Sequence, residues 1–138
     1  MQAQATRTQL GSIAPFFIVR DVAPAIAFYR DLLGFDVRFS GPEDDVYFAI
    51  LGRDGVSIFI KAILPEVLPL PNPSRHHWAK WDAFVSVADP AALAEEFMGR
   101  GLTLHEPLGI NGDRLLGFEV KDADGYVLYF GRLAKEGE

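Results

Sequence analysis

The sequence predicts an α+β protein in which one β-α-β-β-β pattern occurs twice in tandem. Three observations carry this expectation. Asp21 with Pro24, and Asp89 with Pro90, each follow an apolar strand candidate and open a helical pattern. Gly34 and Gly101 are each placed to close that helix. "RDG" at 53–55 and "DADG" at 122–125 each precede an alternating strand in the same relative place.

The elements follow in order. Residues 13–20, "IAPFFIVR", form an apolar strand. Asp21 is a helix N-cap, and Pro24 fits the first turn, where its missing N–H does no harm. Val22, Ile26, Tyr29 and Leu33 recur at helical spacing. Strands are expected at 35–40, 46–52 and 55–62. The segment 63–80 carries Pro65, Pro69, Pro71 and Pro73, which block both helix interior and central strand. It reads as an extended linker. The pattern restarts with a strand at 81–87, "WDAFVSV", and a helix whose face is carried by Leu93 and Phe97. Strands follow at about 102–106, 114–121 and 126–132. The chain thus divides into module one (about 13–62), the linker (about 63–80) and module two (about 81–133) of a single domain spanning 1–138.

Composition narrows the function. Of the 138 residues, 49% are hydrophobic and 23% charged, the profile of a globular protein. A net charge of −6 argues against nucleic acid, whose phosphates demand basic patches. The absence of cysteine excludes disulfides, zinc–thiolate sites and a cysteine nucleophile. The polar start "MQAQATRTQLG" has no signal-peptide core, and no stretch has the roughly 20 apolar residues of a membrane span. The expected setting is the cytoplasm, with no membrane partner.

The segments "VRDVAPAIAFYRDLLGF", "GVSIFIKA", "FVSVADPAALAEEF" and "GFEVKDADGYVLYF" together resemble the vicinal oxygen chelate superfamily of glyoxalase I, extradiol dioxygenases and bleomycin-resistance proteins. The resemblance covers roughly 13–133. It implies that the two βαβββ modules form an incompletely closed, cup-shaped sheet in a homodimer. It also implies ligand sites in or between the cups. Enzymes of the family hold a divalent metal through one residue on each of four strands. Matched one by one, those positions fall at Ala14, near Phe59, at Asp82 and at Tyr129. Asp82 is the only good ligand of the four. His76 and His77 lie in the linker, and His105 ends a strand that supplies no ligand. Adjacent histidines on an extended segment would point opposite ways. No metal and no cofactor are therefore expected.

Strand alternation assigns the lining of the cup. Ser57, Phe59 and Lys61 would point inward from one strand, and Asp82, Phe84 and Ser86 from another. Glu119 would point inward opposite the apolar set Leu116, Phe118 and Val120. Tyr129 would face the cup, with Leu128 and Phe130 packed under a helix. An aromatic lining with two carboxylates suits a flat or cationic organic ligand. The same residues could instead fill a closed core. Trp78 and Trp81 could wall the groove or pack a dimer interface.

Within the superfamily the bleomycin-resistance branch resembles this chain most, through "PFFIVRDV", "GFDVRF" and "VSIFIKA". That resemblance implies sequestration of a drug without a catalytic metal, and an N-terminal arm, hinged at Pro15, able to swap between protomers. Phe39 and Phe84 match its aromatic groove positions. Arg114 stands where the branch has a stacking tryptophan. The leading expectation is a metal-free protein that sequesters an aromatic or cationic drug or metabolite. The ligand-binding set is Phe39, Ser57, Phe59, Lys61, Asp82, Phe84, Arg114, Glu119 and Tyr129. The alternative is a glyoxalase-like lyase, isomerase or dioxygenase with an atypical or metal-independent site.

Overall fold

The computed structural model describes residues 6–138. Module one comprises β1 (Phe16–Ile18), α1 (Val22–Ala27) continued by a π-helical turn (Phe28–Leu32), then β2 (Asp36–Gly41), β3 (Phe48–Arg53) and β4 (Val56–Lys61). A single helical turn, α2 (Asn72–Arg75), interrupts the connection. Module two comprises β5 (Ala83–Ser86), α3 (Pro90–Gly99), β6 (Glu106–Ile110), β7 (Leu115–Lys121) and β8 (Val127–Leu133). The strands form two four-stranded sheets, ordered β1-β4-β3-β2 and β5-β8-β7-β6. β1 runs parallel to β4 and β5 parallel to β8, with Phe16 opposite Phe59 and Phe84 opposite Tyr129.

Local chemistry explains the helices. The Asp21 carboxylate accepts from the Ala23 N–H at 3.3 Å, and the Asp89 carboxylate from the Ala92 N–H at 3.1 Å. Gly34 and Gly101 take φ +69° and +99°, left-handed values that let Phe35 close on the Tyr29 carbonyl and Leu102 on that of Phe97. Module one has one residue more than module two between its capping aspartate and its closing glycine. The π turn absorbs that residue, so the helix is not α throughout as the spacing predicts.

β1 keeps only three of residues 13–20, and three further boundaries differ from the sequence expectation. The linker is extended except at turns around 65–67 and 77–78 and at α2, where Pro73 sits in the first turn and so breaks no bond. Residues 102–105 are not a strand: Leu102 is drawn under α3, and the ladder begins only where the His105 N–H reaches the Glu119 carbonyl. β6 then carries Pro107, tolerable on an edge strand. β5 is shorter than 81–87 because Trp81 and Asp82 turn to other partners.

The modules hold each other reciprocally. The β7–β8 hairpin of module two reaches the first helix. There the Asp122 carboxylate accepts from the Tyr29 hydroxyl at 2.7 Å, and Tyr126 stacks on Phe17 with ring centroids 4.2 Å apart. The Tyr126 hydroxyl donates to the Ile18 carbonyl at 2.6 Å. The β3–β4 hairpin of module one reaches α3, where Arg53 donates both terminal nitrogens to Glu96 at 2.7 and 2.8 Å. Ile58, Ile60, Phe118, Leu128 and Phe130 face the helices and are buried, as strand alternation predicts.

Burial is the main influence on Asp122. It pushes the carboxyl up to about 6, against the downward pull of hydrogen bonds from Tyr29 and the Asp124 and Tyr126 amides. The folded chain therefore holds this proton more tightly than the unfolded chain. The resulting stabilisation is complete below about pH 4 and is lost as pH rises through about 6. Its span is about 3 kcal/mol at most. Urea unfolding across that range is expected to show the slope, and Asp122→Asn to flatten it. A wild-type profile flat from about pH 4 to 7 would contradict this assignment.

Candidate functional site: two aromatic cups

The faces of the sheets turned away from the helices carry most of the residues singled out in the sequence. On module one, Phe59, Phe16 and Phe48 form a triangle of rings with centroids 5.9 to 6.3 Å apart, and Phe39 adjoins Phe48 at 6.1 Å. Phe39 reaches this face through an irregularity in β2 between Val37 and Phe39. Lys61 holds its ammonium 5.7 Å from the Tyr47 ring. Ser57 is drawn to the edge of the cup, where its hydroxyl accepts from Arg38 at 2.9 Å. Phe16 and Phe39 are half exposed.

On module two, Tyr129, Trp81 and Phe84 form a triangle of rings in mutual contact, with Trp81 and Phe84 5.8 Å apart. Trp81 stacks on it at 4.4 Å and Phe84 at 5.5 Å. The indole N–H of Trp81 donates to Glu119 at 3.1 Å, and Glu119 lies directly across the ladder from Tyr129. His105 approaches the other Glu119 oxygen at 4.0 Å. Tyr129 is only 4% exposed, while Phe84 remains 44% exposed.

Two glycines explain how a tyrosine lies so flat. Gly117 and Gly131 face each other across β7 and β8. A Cβ at Gly117 would stand 2.6 Å from the Tyr129 hydroxyl, and one at Gly131 2.5 Å from its ring. The missing side chains are the seat of the phenol. Its hydroxyl is buried without a hydrogen-bond partner among the described residues. Burial first, and the Glu119 charge second, push that phenol above its usual range, so it is neutral and free to donate.

Asp82 faces the seam but is not a free carboxylate. One oxygen accepts from the Asn72 N–H at 2.7 Å and the other from the Val127 N–H at 2.8 Å. It ties the linker to the start of β8. Asp82 and Phe84 nevertheless border one cleft with Ser57 and Ala14, about 430 Å³ in volume, at the seam between the modules. Arg114 stands apart, exposed in the β6–β7 turn at φ +59°.

The linker aromatics divide. Trp81 is built into the cup, whereas Trp78 is 80% exposed. Contrary to the expectation for an extended segment, the His76 and His77 rings stack at 4.5 Å, because the chain turns there and His76 Nδ1 accepts from the Trp78 N–H. Phe16, Phe48 and Trp81 are the lining residues that sequence reasoning missed or left open. The strand registers, with Phe16 opposite Phe59 and Phe48 opposite Lys61, put the first two on this face.

The family's four metal positions do not fit a metal here. Ala14 and Phe59 have no donor atom, both Asp82 oxygens are engaged by backbone amides, and the Tyr129 phenol is neutral. Among the described residues no three His, Cys, Asp or Glu side chains gather in a metal-holding group. No helix among them is long and apolar enough to cross a membrane.

The orphaned hydroxyl generates a prediction. Tyr129→Phe keeps the ring on its glycine seat and removes an unsatisfied polar atom. Stability in urea should stay level or rise, by up to about 1 kcal/mol. Gly131→Ala should lower it by about 2 kcal/mol or more, since the new methyl meets the ring and the Leu116 carbonyl at 2.6 Å. Near-ultraviolet dichroism would report the loosened Trp81–Tyr129 stack.

Comparison with known proteins agrees with the geometry. Residues 9–130 match the family model of the Glyoxalase/Bleomycin resistance protein/Dioxygenase superfamily. Comparison with curated proteins gives no sequence match. Among solved structures, the bleomycin-binding protein of bleomycin-producing Streptomyces verticillus, complexed with copper(II)-bleomycin, is 25% identical. The match covers 95% of this chain and 100% of that one, with TM-score 0.65. A bleomycin-binding protein complexed with bleomycin is 18% identical over 89% and 98% of the two chains, with TM-score 0.69. The bleomycin resistance determinant encoded on transposon Tn5 is 19% identical over 90% and 98%, with TM-score 0.67. With its tandem modules and its matched span, this chain belongs to the Glyoxalase/Bleomycin resistance protein/Dioxygenase superfamily.

Proposed function

We propose that this protein is a metal-free binder that sequesters a flat aromatic or cationic small molecule. The observation that carries the reading is the Trp81–Tyr129–Phe84 cluster closed by Glu119, with Tyr129 at a position matched to one where enzymes of the family place a metal donor and Trp81 and Phe84 flanking another. Aromatic faces supply stacking area, and Glu119 supplies charge for a cationic ligand. The neutral Tyr129 hydroxyl offers one directed hydrogen bond inside an apolar wall. The bleomycin-binding neighbours support sequestration as the mode of action. Arg114, a cation where the resembling branch stacks a tryptophan, makes bleomycin a poorer candidate than a smaller ligand. The lyase or dioxygenase alternative would need a metal-independent site, because the matched positions supply no free donor set.

Two chains would complete the sites. Phe16, Phe39, Tyr47 and Phe84 leave apolar surface open on the concave faces, more than isolated surface residues require. A two-fold partner would cover it and convert each open cup into a groove. Leu10 and Ile13 are almost fully exposed, which suits an arm that packs on a partner.

Titration with planar aromatic cations, followed by Trp81 fluorescence, tests the reading. Phe84→Ala should weaken binding about ten-fold or more, an aromatic contact's worth. Tyr129→Phe should cost affinity without costing stability. Elemental analysis should find no stoichiometric metal. A tightly held metal, or affinity indifferent to both substitutions, would overturn it.

A further inference from the structure

The tandem repeat permits a residue-by-residue comparison of the two seams where a hairpin of one module meets the helix of the other. Counted from the capping aspartates, Phe17 in β1 corresponds to Val85 in β5, Ile18 to Ser86 and Arg20 to Ala88. Counted from the hairpin glycines, Tyr126 corresponds to Val56 and Asp124 to Asp54. The strand registers agree, since Phe16 opposite Phe59 matches Phe84 opposite Tyr129.

One seam is filled. The Tyr126 ring stacks on Phe17, its hydroxyl donates to the Ile18 carbonyl, and Asp124 accepts from the Arg20 N–H at 2.9 Å with the guanidinium 3.8 Å away. The other seam has lost both rings and the arginine but keeps the aspartate. Val56 and Val85 replace the two rings, and Ala88 replaces the arginine. A cleft of about 530 Å³ lies there, floored by Val56, Val85, Leu93 and Phe97, with Asp54 and Ser86 at its edge. The Asp54 side chain is 93% exposed and, among the described residues, pairs only with Arg53, at 3.9 Å.

We infer that this second seam is a binding site for a phenol carrying a short cationic tail, of which tyramine is the simplest probe. The phenol ring would take the place that Tyr126 fills in the first seam, between Val56 and Val85. Its hydroxyl would donate to the backbone at Ser86, the counterpart of Ile18. The ammonium would meet Asp54 as Arg20 meets Asp124. This site lies on the helix side of the sheet, because Val85 and Phe84 point to opposite faces. It is therefore separate from the aromatic cups.

The test is a tyramine titration of the full chain, read by the methyl resonances of Val56, Val85 and Leu93. Shifts at those methyls that saturate below about 10 mM are expected. Phenol and butylamine should each bind about ten-fold more weakly than tyramine. Val56→Tyr, which restores the missing ring, should raise the melting temperature and weaken tyramine binding about ten-fold or more. Val85→Phe serves the same purpose should the first variant fail to fold. Asp54→Asn should weaken tyramine and leave phenol unchanged. Loss of tyramine binding in Phe84→Ala but not in Val56→Tyr or Val85→Phe would place the ligand in the cup, overturning this site while favouring the proposed function. No methyl shift up to about 10 mM would overturn it as well.

Discussion

The hydroxyl of Tyr29 donating into the buried carboxylate of Asp122 joins residues 93 apart in the chain, and the relative placement of the modules depends on contacts of this kind. Neither sheet could bury its helix-facing side alone: each has four strands and one short helix pressed against them. The hairpin of each module reaches across to the other module's helix instead. On one side the contact is a buried phenol–carboxylate pair with a stacked Phe17–Tyr126 ring pair behind it. On the other it is the two-pronged Arg53–Glu96 pair, extended by Arg100. The first excludes water more completely, and the second stays at the surface. One repeated topology thus has a sealed seam and an open one.

Glycine decides the shape of the opposite face. In module two the facing pair Gly117 and Gly131 lets Tyr129 lie against the sheet, and Trp81 can then stack above it. Nothing comparable flattens the rings of module one, where Phe16, Phe48, Phe59 and Phe39 stand tilted to one another. One cup is therefore a closed stack with a carboxylate beside it, and the other a looser apolar surface with one lysine.

Asp82 shows how a sequence-level candidate can be put to another use. Its type and strand parity suit a ligand or a charged wall. The fold directs both oxygens to backbone amides, at the linker and at β8. A carboxylate with two such bonds is anchored and already solvated by the protein. The charge in the cup then rests on Glu119, which keeps one bond to Trp81 and an open side toward His105.

Caps, closing glycines, hairpin turns and strand parity were legible in the sequence because each is a relation between residues a few positions apart. Asp21 and Asp89, Gly34 and Gly101, and the inward set Phe59, Phe84, Glu119 and Tyr129 follow from such local rules. The tertiary structure alone decided the rest: that Leu102 sinks under α3 and delays β6, that Trp81 enters the cup while Trp78 stays outside, that Asp82 is consumed by backbone, and that one seam is plugged and the other is not. These outcomes depend on residues as far as 108 positions apart competing for the same few ångströms. No periodicity within one segment records who wins that competition.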